Sequence, residues 1–219
     1  MSVGASLRSA VRDFYQQSWR LLLLNSALST FVLVVVGLGL WFAPVFLLLV
    51  LVGPFAAALM HCAVTLVQTD ELRLGDAVTG LRLHWRRGLV LGLFVFAAAA
   101  VAAVAVPFYG TIGGWSWVFA LAALYGALLF GALQVVLWPL AVVELDRPLA
   151  DVVRESVVGF LRRPVAGSLL ALALLGINVV GLIAALVPFL TLTIAYSFLA
   201  AAHFALPRPE PGGTAAWPA

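Results

Sequence analysis

The chain contains no lysine, a single cysteine (Cys62) and few charges: 12 arginines and 9 acids in 219 residues. Each shortage excludes something. One cysteine rules out an intrachain disulfide and a CxxC metal pair. No block of five or more basic residues occurs, so the basic segments that bind nucleic acid are absent. The all-arginine usage, with its load of Ala, Val, Leu and Gly, reads as the mark of a GC-rich genome. The chain also lacks G-x-S-x-G, a Walker phosphate loop, H-E-x-x-H and paired carboxylates in an apolar setting. The expectation is a protein that is not an enzyme, with no catalytic residues, no metal site and no cofactor.

What is present is hydrocarbon. Hydrophobic residues make up 64% and charged residues 10%, and the mean hydropathy is +1.15. Soluble domains are about 45–50% apolar and about 25% charged, so a soluble chain of this make-up could not cover its own surface. The remaining class is an integral membrane protein, with the lipid bilayer as its first partner. Arginines precede the first apolar run, as in a signal peptide. That run far outlasts the roughly 7–15 residues of a cleavable segment and reads as a retained anchor.

The spacing of the charges sets the expected architecture. Residues 21–69, 88–143 and 164–207 carry no formal charge, in blocks of 49, 56 and 44 residues. One spanning helix needs about 20 residues, so each block fits a hairpin. Turn signals stand at the midpoints: Ala43-Pro44, Pro107 to Gly114, and Val187-Pro188. The reading is all-α: one membrane domain over 1–206, with six transmembrane helices near 21–42, 45–67, 89–107, 117–142, 165–187 and 189–206. A disordered cytoplasmic tail follows over 207–219, rich in Pro and Gly. Each hairpin returns the chain to the side it left. All charges therefore share one face, and the positive-inside rule puts that face, with both termini, in the cytoplasm. Trp41, Tyr109, Trp115 and Trp117 at the outer turns, and Tyr15, Trp19 and Trp85 at the inner boundary, suit two aromatic belts.

The three charged segments resemble one another, and each precedes a hairpin. Apolar residues recur at helical spacing in each: Leu7, Val11, Phe14, Tyr15 and Trp19; Leu74, Ala77, Val78, Leu81 and Trp85; Leu149, Val152, Val153, Val157, Phe160 and Leu161. Helix starts are expected at Asp76 and at Asp146 with Pro148. Such helices lie on the membrane surface, apolar side down. Arg20, Arg82, Arg86, Arg87, Arg162 and Arg163 are the candidate contacts to lipid phosphate or to a partner. Arg82, Arg86 and Arg87 are expected to close the second such helix before the third span.

No Asp, Glu, Lys or Arg lies in an expected span, which argues against a carrier coupled through buried carboxylates. Asn25, Gln134, Asn178 and Tyr196 are the candidate intramembrane polar residues. They serve either as hydrogen-bonding glue between helices or as the lining of a cavity for a neutral solute. His61 and His203, near the cytoplasmic ends of their spans, are candidate neighbours. Cys62 points about 100° away from His61 on a helix, and two histidines are too few for a metal. Pro54 and Pro139 interrupt spans two and four. Gly88-x-x-x-Gly92 and the alanines from Ala97 to Ala105 make span three thin, and so a candidate for central packing.

Phe14-Tyr15, Trp19 and Asn25 lead into the first span, Gly53-Pro54-Phe55-Ala56-Ala57-Ala58-Leu59 lies in the second, and a charged segment ending in Trp85-Arg86 follows. This layout resembles the YesL-like family of bacterial membrane proteins, a domain of unknown function. The resemblance implies a multi-span protein of the bacterial cytoplasmic (inner) membrane, in a family discussed beside sugar-uptake systems. It implies no catalytic or binding residues. The resulting expectation is a non-catalytic accessory or interaction partner of a sugar transport system, joined to its membrane or ATPase subunits. The alternative is a small-solute transport or substrate-capture subunit whose cavity is lined by Asn178, Gln134 and Tyr196. The oligomeric state is not set by the sequence.

Overall fold

A computed structural model describes residues 3–16, 18–184 and 192–206. The described residues form helices joined by short turns. They are α1 (Val3–Gln16), α2 (Ser18–Trp41), a 3-10 helix (Ala43–Leu51), α3 (Val52–Thr69) and α4 (Leu74–Ile112). After a second 3-10 turn (Gly114–Ser116) come α5 (Trp117–Val143), α6 (Leu149–Arg162), α7 (Pro164–Ala184) and α8 (Ile194–Ala205). Five helical stretches are long and apolar enough to cross a bilayer. The chain has the make-up of an all-helical polytopic membrane protein. The twelve-residue α8 is shorter than a full crossing. The expected turn at Val187-Pro188 and the tail over 207–219 lie outside the described residues.

Two expected boundaries move. The second charged segment does not form a separate surface helix closed by Arg82, Arg86 and Arg87. It continues without a break into the span as the 39-residue α4. Nothing between Leu81 and Gly92 breaks a helix, and a shift from polar to apolar side chains leaves the backbone hydrogen bonds untouched. Likewise α4 runs through Pro107 to Ile112. The turn is made instead by Gly113 (φ 77°, ψ −178°) and Gly114 (φ 62°); the conformation of Gly113 is one essentially reserved for glycine. The Ser116 hydroxyl closes the turn, 2.7 Å from the carbonyls of Tyr109 and Gly113.

The other helix starts follow their local chemistry. The Arg73 backbone N–H donates to Asp76 Oδ2 at 2.7 Å, placing a carboxylate in the first turn of α4, where it offsets the helix dipole. Pro148 precedes Leu149, the first residue of α6. Pro54 is less disruptive than its sequence position suggests. It sits in the first turn of α3, where the 3-10 helix gives way to α and a missing N–H costs little.

The packing centre is α3, not the thin alanine-rich third span. Nearly every α3 residue from Gly53 to Val67 is buried, whereas α4 buries only Gly80, His84, Gly88, Leu91 and Gly92. The two helices meet through glycine. A Cβ built on Gly92 would fall 2.7 Å from Gly53 Cα and 2.8 Å from the Val50 carbonyl oxygen. Ala97, Ala99 and Ala100 of α4, by contrast, face outward. Beyond Gly92 the α4–α5 hairpin exposes Leu93, Val101, Val104, Phe119 and Leu121.

The amphipathic segments turn small and polar residues towards the protein. In α1, Ser6, Ala10 and Asp13 are buried, while Val11 and Tyr15 are exposed. In α4 the buried pair is Gly80 and His84, with Val78 and Trp85 outside. In α6, Val152, Ser156 and Phe160 are buried and Leu161 is exposed. Where lipid is as apolar as leucine, close packing and hydrogen bonds decide which face meets protein. The apolar stripes are divided: Val11, Tyr15, Val78, Trp85 and Leu161 are exposed, while Leu7, Phe14, Ala77, Leu149, Val152 and Val153 pack against the core. Trp41 and Trp115 are 94% and 90% exposed, as interfacial anchors are.

Candidate functional site

The candidate polar residues sit on four helices, and three of them are used up in holding those helices together. Asn25 on α2 is fully buried, and its Oδ1 accepts the Ala195 backbone N–H at 3.1 Å. That N–H lies in the first turn of α8, where backbone donors have no partner within the helix. Asn178 on α7 donates through Nδ2 to the Leu174 carbonyl at 2.8 Å and to Ser197 Oγ on α8 at 2.7 Å. The Tyr196 hydroxyl donates to the Leu7 carbonyl of α1 at 3.2 Å. These contacts converge on α8 and bind α1, α2 and α7 to it.

Gln134 on α5 is different. Its amide nitrogen and oxygen are both buried and have no hydrogen-bond partner. It borders a cavity of about 480 Å³ with Met60, Val95, Trp138, Leu174 and Phe198. Asn178 borders a separate cleft of about 540 Å³ between α5 and α7. Gln134 and Asn178 thus border different cavities among the described residues, and Tyr196 borders neither. An unpaired buried amide costs about 1–3 kcal/mol. Gln134→Leu, close in volume, is accordingly expected to raise the stability of the ligand-free protein by about 1 kcal/mol or more. Thermal unfolding in detergent micelles measures this. A loss of stability would mean that the amide has a partner.

The histidine pairing differs from the expected one. His61 and His203 do not meet. His84 Nε2 lies 3.2 Å from His61 Nδ1, and His84 Nδ1 is buried without a partner. Orphaned N–H donors are rarer than bare acceptors. The favoured tautomer therefore has His84 Nε2–H donating to His61 Nδ1. Gly80 makes room for this pair: a Cβ there would stand 2.9 Å from the His61 ring. His203 Nε2–H donates instead to Asp13 Oδ2 at 2.8 Å, with both side chains almost wholly buried. Sequence reasoning missed this pair. Its signal was the line Ser6, Ala10, Asp13, which is small and polar at helical spacing opposite the apolar stripe. No group of three or more metal-ligating side chains occurs among the described residues.

The candidate arginines divide by what they touch. Arg20 donates to the Leu72 carbonyl beyond the end of α3. The Arg87 guanidinium donates to the carbonyls of Ala141 (3.2 Å), Glu144 (2.7 Å) and Leu145 (2.6 Å), and to that of Arg147. It satisfies the unpaired carbonyl end of α5, where a cation is also favoured by the dipole. These two side chains are committed to the fold instead of to lipid phosphate. With the Asp13–His203 contact, they gather the charged segments at one end of the bundle. Arg82, Arg86, Arg162 and Arg163 remain exposed, with Arg86 stacked over the Trp85 ring.

No family model, curated protein or solved structure matches this chain.

Proposed function

We propose that this membrane protein resides in a bacterial cytoplasmic membrane, with both termini on the cytoplasmic side. There it serves as a non-catalytic accessory or interaction partner of a transport system, the role implied by its YesL-like layout. The observation that carries the proposal is the outer half of the α4–α5 hairpin. Beyond Gly92, side chains on several sides of α4 are exposed, among them Leu93, Val101, Val104 and Phe108. Exposed alanines on the same helix leave a thin surface of the kind against which neighbouring membrane helices pack closely. The closed hydrogen bonds of Asn25, Asn178 and Tyr196 also favour a structural role for most of the intramembrane polar groups.

Photo-crosslinking in native membranes tests this. A photoreactive residue at Val101, Val104 or Leu121 is expected to give a discrete adduct with a membrane or ATPase subunit of a transporter. Adducts with lipid alone at all three positions would sink the reading. A second reading, capture of a small neutral solute, is favoured by one observation, the unpaired Gln134 amide in its cavity. A solute that stabilises the parent protein and not Gln134→Leu would establish it.

A further inference from the structure

We propose that the cleft where α5, α6, α7 and α8 converge binds a phosphate group, supplied by the headgroup of an anionic phospholipid. The cleft measures about 640 Å³, a size at which small-molecule sites occur. Four arginines line it, Arg147, Arg154, Arg162 and Arg163, against two carboxylates, Asp151 and Glu155. Arg147 is already neutralised: its Nη1 lies 2.7 Å from Glu144 Oε2 and 2.5 Å from Glu155 Oε2. That contact also occupies Glu155. The guanidinium groups of Arg154, Arg162 and Arg163 make no ion pair or hydrogen bond with the described residues, and all three residues are exposed. Three uncommitted cations thus face one uncommitted acid, Asp151.

Guanidinium suits phosphate because its planar fork presents paired donors to two oxygens. The rest of the lining selects lipid over a soluble ester. Val136 and Leu140 of α5, Phe160 of α6 and Phe204 of α8 are in the same cleft, so the cationic rim runs into an apolar floor. Those are the two halves of an amphiphile. The position agrees: Arg162 and Arg163 immediately precede the charge-free block that opens with Pro164, at the level where headgroups meet hydrocarbon. Basic pockets between helix ends at the membrane face bind anionic headgroups for the same reason. This site depends on membrane embedding and not on a role in transport.

The test is thermal unfolding of the purified full chain in mixed micelles, titrated separately with phosphatidylglycerol, phosphatidylcholine and glycerol 3-phosphate. Saturable stabilisation by phosphatidylglycerol and not by phosphatidylcholine is expected. Apparent affinity should weaken on the order of 100-fold in R154Q/R162Q/R163Q. It should be unchanged in R82Q/R86Q, which removes exposed arginines outside the cleft. The single variants, each expected about fivefold weaker, carry the test should the triple variant unfold. Saturable protection by glycerol 3-phosphate alone, lost in the same variants, supports the phosphate site but assigns it to soluble esters. A triple variant that responds like the parent, or an equal loss in R82Q/R86Q, overturns the site.

Discussion

His203→Leu is expected to destabilise the protein by about 3–5 kcal/mol, because it removes one hydrogen-bonded partner of a buried carboxylate. His203 and Asp13 are 1% and 3% exposed, with 2.8 Å between Nε2 and Oδ2. The Arg12 Nε at 3.3 Å from Asp13 Oδ1 belongs to a solvent-facing side chain and compensates little. The bond joins α1 to the last turn of α8, so its loss should free the N-terminal helix first. Limited proteolysis within α1 and denaturant unfolding in mixed micelles read the two effects. Asp13→Leu in the same chain should recover much of the loss, since an apolar pair of similar volume replaces a buried ion pair at little net cost. A single variant as stable as the parent would show that Asp13 does not depend on the histidine.

Gly53→Leu should cost at least about 3 kcal/mol, above the usual range for overpacking. A Cβ at position 53 would fall on the Gly88 carbonyl oxygen, and one at Gly88 would lie 2.7 Å from Pro54 Cα. The obstructing atoms are backbone, so no side-chain rotation relieves the clash, and α3 and α4 must separate. Separation would also part His61 from His84, which meet on the same pair of helices. Gly176→Ala is the control: nothing lies within 4 Å of the added Cβ, and helix propensity favours alanine. The expected outcome is a large drop in unfolding midpoint for Gly53→Leu and none for Gly176→Ala. Equal behaviour of the two would mean that the α3–α4 contact is not close.

These two contacts show where legibility in the sequence ended. Gly88-x-x-x-Gly92 announced a close approach, and the structure supplies its partner in Gly53 and Pro54. The alanines after Ala97 carried the same composition signal yet face outward. Small residues permit a contact without saying which helix makes it. Nothing in the sequence singles out Asp13, because its partner lies 190 residues away and no local pattern encodes so distant a neighbour. Of the four candidate polar residues, Asn25, Asn178 and Tyr196 are bonded and Gln134 is not. Residue type alone cannot separate these cases, since each amide or hydroxyl needs a partner that only the fold can bring.

What the sequence determined by itself is the division between hydrocarbon and water. Arginine and carboxylate spacing marks which segments can enter a bilayer, and hydration free energy acts on each segment locally, whatever its neighbours. What the tertiary structure decided is which faces meet. It chose α3 as the centre, turned Ser6, Ala10 and Asp13 inward, and committed Arg20 and Arg87 to backbone carbonyls while leaving Arg154, Arg162 and Arg163 around an open cleft. In a lipid-like solvent, burial of apolar surface no longer selects the contact face. Steric fit and hydrogen-bond pairing between distant segments do, and both are properties of the assembled bundle.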